Sequence, residues 1–350
     1  MAFDSALRTQ HSALRTTLVG SLPRPEWLAT PEQVRARWLL EGPALRIGQD
    51  DAVLLAIKLQ EDAGLDVVTD GEQRRRHYIE SFCGELGGFD YRDLVDMPTR
   101  GGRYVQKVPK ITRPVERTHP ILLDGLRFLR AHTTRPVKVT MPGPMTIADT
   151  AHDAYYGDER ACAAALAAAI NAEARALAAA GADVVQIDEP AFNVYPDKAE
   201  AWGIELLDRC LEGVTARTAV HICYGYGSPA VLAWKAQNAD WSQYRRLLPL
   251  LRQSRVQQLS LEFAASGVDP AVLAEAGDKD ILYGCVDVSP APPDPPAVIA
   301  DRIRAALRYV PPERLYPCTD CGMAPIPRAA ARAKLEALSA AARHVRAELA

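Results

Sequence analysis

Four polar residues, widely spaced along this chain, have side chains that could bind a single zinc ion. His221 and Cys223 lie in "VHICYG", Glu262 lies in "LSLEFA", and Cys321 lies in "PCTDCGM". Imidazole, thiolate and carboxylate are the side-chain ligands that Zn²⁺ takes in proteins. Each motif coincides with the end of a short apolar run that is typical of a β-strand. The sequence therefore predicts a zinc site where several strands end.

Each of these residues also has a purely structural interpretation. His221 and Cys223 alone could be core residues, and Glu262 could cap a helix or pair with an arginine. Cys318 and Cys321 have CxxC spacing, which a redox dithiol or half of a structural zinc knot would share. A four-cysteine knot is excluded because the chain has no second CxxC. The coincidence of all four candidates at strand ends favours the zinc site.

Further polar residues follow other apolar runs. They are Ser21, Glu72, Asp188, Glu189, Asp287 and Ser289. Glu72 could instead pair with a neighbouring arginine, and one of the two acids in "DEP" could cap a helix. If the runs form one parallel sheet, these side chains meet at its carboxyl edge. We therefore expect a polar site there, with at least one functional acid from "DEP".

Eight apolar runs of strand length recur along the chain. They span residues 16–21, 65–70, 137–142, 183–188, 219–224, 257–263, 281–287 and 314–318. The runs show little polar alternation, as expected for strands covered on both faces, and helical segments separate them. This α/β pattern predicts a (β/α)8 TIM barrel, with an open doubly wound sheet as the alternative.

The chain length suits one domain. Its 350 residues are compatible with a single barrel over residues 1–350, because α/β barrels of this size form one domain. Residues 71–136 separate the second and third apolar runs by far more than a crossover helix needs. We predict that this segment holds an inserted hairpin or lid over the barrel mouth.

Composition argues against several classes of partner. With 41 Lys and Arg against 44 Asp and Glu, the net charge of -3 provides no field for nucleic acid or an anionic membrane. The first residues do not predict a signal peptide, and no run approaches the ~20 apolar residues of a membrane span. The odd number of cysteines, 7, favours reduced thiols. We expect a cytoplasmic protein.

Taken together, the motifs resemble those of the catalytic barrel of cobalamin-independent methionine synthase. The shared motifs are "TTLVGSLPRP", "AGLDVVTDGEQRR", "MPGPMT", "QIDEPAF", "HICYG", "LEFA", "GCVDVS" and "DCGM", in the family's order over nearly the whole chain. The family's large amino-terminal barrel has no counterpart here, so the resemblance is to its short, core-only members. It implies a TIM barrel related to that of uroporphyrinogen decarboxylase.

The resemblance implies a zinc-dependent methyltransferase that makes methionine from homocysteine. The family's zinc ligands correspond to four residues here: His221, Cys223, Glu262 and Cys321. The groups that bind the amino-acid end of homocysteine correspond to three: Ser21, Glu72 and Asp188. Zinc would deprotonate the substrate thiol, since a free thiol has a pKa of ~8.5. Glu262 is the expected labile ligand, because carboxylate binds zinc less softly than thiolate.

Two departures from the family concern the methyl donor. The folate-using members have a histidine after the seventh strand, where "VDVSP" offers Asp287 and Ser289. They also have a tryptophan beyond the "GP-T" motif, and "MPGPMTIADTAHD" has none. Asp287 and Ser289 are the candidate catalytic residues on the donor side. The donor would be 5-methyltetrahydrofolate or a methylated corrinoid such as methylcobalamin, supplied by a corrinoid or accessory protein.

Three other functions compete with this one. A zinc-dependent alkyltransferase could act on another thiol such as coenzyme M, although a sulfonate would need cations where Ser21, Glu72 and Asp188 are expected. A metal-free lyase of the uroporphyrinogen decarboxylase type would leave the predicted zinc ligands without a role. A zinc-storing or partner-binding barrel is the non-enzymatic alternative, and metal analysis separates these cases.

Overall fold

Helices and strands alternate along the chain in the computed structural model, which describes residues 13–226, 229–238 and 240–349. The strands are β1 (Gly87–Thr99), β2 (Tyr104–Glu116), β3 (Lys138–Pro142), β4 (His152–Asp153), β5 (Val184–Asp188), β6 (Arg217–Ile222), β7 (Gln258–Glu262), β8 (Asp280–Val286) and β9 (Leu315–Thr319). The helices are α1 (Gly42–Ala63), α2 (Tyr78–Cys83), α3 (Leu123–Ala131), α4 (Pro144–Ala148), α5 (Glu159–Ala179), α6 (Ala191–Val194), α7 (Pro196–Lys198), α8 (Ile204–Cys210), α9 (Pro229–Gln237), α10 (Gln243–Leu251), α11 (Pro296–Ala306) and α12 (Arg328–Leu349). The first residues, for which no signal peptide is predicted, lie mostly outside the described part.

Six strands form one parallel sheet in the order β3, β5, β6, β7, β8, β9. In β3, β5, β7, β8 and β9 every residue is buried, as expected for strands with side chains packed on both faces. The register aligns Asp188 with His221, and Glu262 with Gly284. Residues at the carboxyl ends of these strands therefore share one edge of the sheet.

The first two predicted strands close this sheet into a ring. The amide of Thr17 donates to the carbonyl of Pro317 in β9 at 3.2 Å. Val68, in the second segment, forms a parallel bridge with Val137 just before β3. The ring of eight segments is a (β/α)8 barrel, so the predicted fold class is confirmed.

These two segments are not regular strands, which corrects the prediction that all eight runs are. Between the two segments, hydrogen bonds to side chains replace part of the backbone hydrogen bonding of a regular sheet. The Asp66 carboxylate accepts from the Thr16 amide at 2.7 Å and from its hydroxyl at 2.9 Å. The Thr69 hydroxyl donates to the carbonyl of Gly20 at 2.8 Å. The apolar pattern alone carries no signal for such substitutions, because it reports burial and not pairing.

Residues 71–136 contain α2, an antiparallel hairpin and α3. The hairpin pairs β1 with β2, and the short β4 adds to it in parallel. Its tip contacts loops at the carboxyl edge of the barrel. The Arg100 amide donates to the Asp149 carboxylate at 3.2 Å, and the Gly101 amide donates to the Tyr195 hydroxyl at 2.7 Å. The segment thus reaches the barrel mouth.

Helix α5 is long and apolar enough to cross a membrane by length and composition alone. The sequence search for apolar runs did not single it out. In the apolar window of this helix, 56% is buried inside the protein. Its amino terminus is capped by Asp158, whose carboxylate accepts from the Ala161 amide at 2.7 Å. Core helices of water-soluble proteins commonly meet the same criteria, so the helix is weak evidence for a membrane span.

Candidate active site

A cavity of about 370 Å³ opens at the carboxyl edge of the barrel. This size lies within the range of small-molecule sites. Six of the predicted site residues line it: Ser21, Glu72, Asp188, His221, Cys223 and Cys321. They come from five different strand ends or the loops that follow them, which explains how residues 300 positions apart meet.

Three predicted zinc ligands form a compact group in this cavity. One atom each of His221, Cys223 and Cys321 lies within 4.8 Å of the others, and the two sulfur atoms are 3.4 Å apart. All three residues are buried. Three protein ligands with room for a fourth are typical of catalytic zinc sites.

The histidine of this group is oriented as a metal ligand would be. Its Nδ1 is hydrogen-bonded to the Ser260 hydroxyl at 2.9 Å, while its buried Nε2 has no partner among the described residues. A second hydrogen bond on the far nitrogen is the usual way in which a ligating imidazole is fixed. Sequence reasoning missed Ser260, although β7 register pairs it directly with His221. The residues present therefore fit a zinc ion.

The two thiols are hydrogen-bonded to each other. Their mutual hydrogen bond is the largest cause that holds the pKa of Cys223 well below its usual range, and His221 adds to it. The same bond and burial raise the pKa of Cys321. A dication beside them would also favour loss of the second proton.

Glu262, the fourth predicted ligand, lies outside this compact group. Its carboxylate is fully buried and pairs with the Lys235 ammonium, with Oε1 and Nζ 2.6 Å apart. Its Oε2 accepts from the Tyr224 amide at 3.0 Å. Burial raises the pKa of Glu262, while Lys235 acts against that rise. The structure thus brings together three of the four predicted ligands and places the fourth beside Lys235.

Glu72 enters the cavity from a strained backbone. Its φ of 56° lies in the left-handed region, which is uncommon outside glycine and clusters at functional sites. Its carboxylate accepts from the Thr140 hydroxyl at 2.9 Å, with Arg75 at 3.7 Å. Gly20 makes room for it, because a Cβ there would lie 2.6 Å from Glu72 Oε1.

Asp188 is a buried carboxyl at the end of β5. It accepts from the Gln186 amide group at 2.8 Å. Burial raises its pKa to about 7, with Glu72 adding to the rise and His221 opposing it. A carboxylate poised in this way gains from a cationic partner in the cavity.

Ser21 explains the glycine of the "DCG" motif. The Ser21 hydroxyl approaches Gly322 so closely that a Cβ there would lie 2.2 Å from its oxygen. The Met323 amide donates to the Ser21 carbonyl at 2.9 Å. The Ser21 side chain of the first segment therefore packs against the backbone of the loop after β9, next to Cys321.

Comparisons with known proteins identify the family to which this chain belongs. The family described as "Cobalamin-independent synthase, Catalytic domain" matches residues 14–344. The chain belongs to this family. The family resemblance read from the motifs is therefore confirmed, and the chain is a methyltransferase of the methionine synthase type.

Relatives of this cobalamin-independent synthase match it over nearly their whole length. The methionine synthase of Sulfurisphaera tokodaii is 32% identical and is aligned over 96% of this chain and 94% of its own. The structure of a B12-independent methionine synthase from Shewanella sp. W3-18-1, in complex with selenomethionine, has a TM-score of 0.93 and 42% identity, covering 96% of this chain and 99% of that one. A Listeria monocytogenes structure with 21% identity and a TM-score of 0.69, covering 96% of this chain and 99% of that one, supports the fold.

Two predicted residues of the synthase lie outside the cavity lining. Asp287 accepts from the amide of Ser289 at 3.0 Å and from its hydroxyl, as in an Asx turn. Neither residue lines the cavity. The structure therefore does not bring the two expected donor-side residues to the predicted zinc ligands, because the loop after β8 bonds them to each other.

Contacts bear on two alternatives that the sequence analysis left open. Glu189 caps α4, since its carboxylate accepts from the Met145 amide at 2.9 Å and the Thr146 hydroxyl at 2.7 Å. Asp188 is thus the acid of "DEP" that faces the cavity. The Cys318 side chain is buried in a separate apolar cluster with Val19, and its sulfur is not in the compact ligand group.

Arginines at the cavity mouth were not predicted. They are Arg35, Arg100 and Arg103. Arg100 pairs with Asp149 at 3.2 Å, whereas the Arg103 guanidinium lies 3.6 Å from the ring centroid of Trp234. Arg100 and Arg103 lie at the tip of the hairpin between β1 and β2, and the sequence did not indicate where their side chains would lie.

Proposed function

We propose that this chain transfers a methyl group from 5-methyltetrahydrofolate to the thiol of homocysteine, which makes methionine. A bond forms between sulfur and the methyl carbon as the bond from that carbon to the donor nitrogen breaks. The thiol proton leaves to solvent, and the donor nitrogen takes one up. The observation that carries the proposal is a single cavity that joins a His-Cys-Cys group to the acids Glu72 and Asp188.

In this proposal the compact group would hold zinc. His221, Cys223 and Cys321 are the ligands, and Glu262 is an exchangeable fourth ligand. The proposal is supported by the unpartnered Nε2 of His221 and by the two adjacent sulfurs. Bound zinc would supply a Lewis acid that keeps the substrate thiol deprotonated.

The cavity residues would orient the amino-acid end of homocysteine. Glu72 and Asp188 are buried acceptors suited to its ammonium group, and the Ser21 hydroxyl can donate to its carboxylate. A sulfonate such as that of coenzyme M would meet two carboxyl groups there instead of a cation. This arrangement supports homocysteine over coenzyme M.

The choice of donor rests on the family and on the cavity mouth. The family is described as cobalamin-independent, which does not support a corrinoid donor. The carboxylates of a folate tail would suit the arginines at the mouth, above all Arg103. We further propose that residues 1–350 form one domain, that 71–136 acts as its lid, and that the protein works in the cytoplasm.

A methyl-transfer assay tests the proposal. Zinc-loaded protein is given homocysteine with 5-methyltetrahydrofolate, or with methylcobalamin, and methionine is measured by mass spectrometry. We expect methionine from the folate donor, about one zinc per chain, and loss of both in Cys321→Ser. Cys318→Ser is the matched control and should retain zinc and activity.

Several results would contradict it. Full activity in Cys321→Ser would rule out the ligand assignment. Turnover with methylcobalamin but not with 5-methyltetrahydrofolate would show that the methyl donor is a corrinoid. Turnover only after addition of cell extract would indicate an accessory protein, and methylation of coenzyme M in preference to homocysteine would change the acceptor.

A further inference from the structure

Lys235 is a buried cation that forms an ion pair with the carboxylate of Glu262. It lies on α9, its side chain is 6% exposed, and its ammonium is 2.6 Å from Oε1 of Glu262. It also donates to the carbonyl of Gly225 at 3.2 Å. Lysines are rarely buried to this degree unless they are paired. Packing alone therefore does not explain why the ion pair between Lys235 and Glu262 is buried here.

The Glu262 carboxylate is held beside the compact ligand group without belonging to it. Its second oxygen accepts from the amide of Tyr224, the residue after Cys223, at 3.0 Å. The Tyr244 hydroxyl accepts from the Glu262 amide at 3.0 Å and fixes the backbone there. The carboxylate is thus anchored one residue from a predicted sulfur ligand and already has a cation as partner.

Charge balance explains why such a cation is useful. Two thiolates and one carboxylate give a zinc ion a surrounding charge of -3, so the set with zinc carries about -1. Lys235 offsets one negative charge of this set, and the buried carboxyl of Asp320 lies near both Lys235 and Glu262. If a substrate thiolate took the place of Glu262 on the metal, the displaced carboxylate would be a buried charge that needs another partner.

We propose that Lys235 is the alternate partner of Glu262, which receives the carboxylate when the homocysteine thiolate takes its place on zinc. This inference rests on the proposed function. In the exchange, the oxygen-to-zinc contact breaks, a sulfur-to-zinc contact forms, and the thiol proton passes to solvent. Lys235 touches no substrate in this scheme and is a positioning residue.

A double-mutant cycle tests the role of Lys235. Homocysteine binding is measured by calorimetry for zinc-loaded wild type, Lys235→Met, Glu262→Gln and the double variant. We expect Lys235→Met to keep zinc and to bind homocysteine at least about tenfold more weakly. In the Glu262→Gln background, the same lysine change should alter binding by less than about twofold, since no carboxylate then needs a partner.

X-ray absorption provides a readout that does not depend on turnover. In wild type, homocysteine should replace one oxygen of the zinc shell by sulfur. In Lys235→Met the oxygen should remain at a homocysteine concentration that saturates wild type. Lys235→Arg keeps the charge and should restore the exchange. If Lys235→Met does not fold, Lys235→Gln carries the same expectations.

The possible failures are distinguishable. Wild-type protein that binds no zinc or no homocysteine would overturn the proposed function and this inference together. Wild type that binds both, with Lys235→Met indistinguishable from it, would overturn the inference alone. An equal loss from the lysine change in both backgrounds would also overturn it, because that result indicates a general structural role.

Discussion

The sulfur atoms of Cys223 and Cys321 lie 3.4 Å apart, although the two cysteines are 98 positions apart in the chain. Cys223 follows β6 and Cys321 follows β9, and two further strands stand between these in the sheet. The cysteines therefore meet across the barrel mouth and not between neighbouring strands. A site built in this way depends on the whole barrel for its geometry.

Ser260→Ala should weaken zinc binding without removing a ligand. The Ser260 hydroxyl is the observed partner of His221 Nδ1, so its loss frees the imidazole to rotate. We expect zinc affinity to fall by about tenfold, measured by competition with a chromogenic chelator. Ser254→Ala removes another buried hydroxyl, which bonds the Leu251 carbonyl, and should leave zinc affinity unchanged. Equal losses in the two variants would count against the orienting role.

Gly20→Ala should impair homocysteine binding while sparing zinc. The added Cβ would lie 2.6 Å from Glu72 Oε1 and would displace that carboxylate. We expect the dissociation constant of homocysteine to rise at least about tenfold, measured by calorimetry. Gly125→Ala is the control, because its nearest neighbour would be at an ordinary 3.9 Å. Unchanged homocysteine binding in Gly20→Ala would show that Glu72 does not contribute to the homocysteine site.

The stability of the protein should fall as pH rises, in part through Glu189. Burial raises the pKa of Glu189 from 4.5 to about 7, against the hydrogen bonds from Thr146 and Met145. The folded state thus holds a proton that the unfolded state releases, and stability falls as pH rises through this window by up to about 3 kcal/mol.

Glu189→Gln should flatten this dependence, because the amide cannot ionise. The measurement is the free energy of unfolding by urea from pH 5 to pH 8. Glu26→Gln, at an exposed position, should keep the wild-type slope. A slope in Glu189→Gln as steep as that of wild type would show that this carboxyl does not titrate differently in the two states.

Arg103→Ala should act on the donor and not on homocysteine. The guanidinium lies at the cavity mouth over Trp234, at the tip of the hairpin. We expect KM for 5-methyltetrahydrofolate to rise by about tenfold, with KM for homocysteine unchanged. Arg113→Ala changes an exposed arginine of the same hairpin and should leave both values as they are. Equal effects on both substrates would argue against a donor contact.

The sequence could predict the barrel and the grouping of three of the four proposed zinc ligands, because both depend on strand ends. Parallel strands deliver their last residues to one edge, so His221, Cys223 and Cys321 could be grouped from apolar runs alone. Lys235 could not be found in this way, since a lysine on a helix is usually exposed and only the packing of α9 buries it. The partner of Glu262 was missed for the same reason.

Loop conformation limited the prediction elsewhere. Asp287 and Ser289 follow a strand, yet an Asx turn bonds them to each other, and such local bonds are not visible in apolar periodicity. The irregular pairing of Thr16 with Asp66 escaped for a similar reason, because a carboxylate replaces a backbone acceptor there. Local hydrogen bonds of polar side chains thus determine the loop conformation and the irregular pairing that apolar periodicity does not predict.

The contact between Thr17 and Pro317 bears on how the protein matures. The first of the eight barrel segments pairs with the last, and the loop after β9 carries Cys321. A nascent chain that ends before β9 would hold His221 and Cys223 without Cys321 or the closed ring. Metal loading at the proposed zinc site should therefore follow both the synthesis of Cys321 and the slow, long-range step of ring closure.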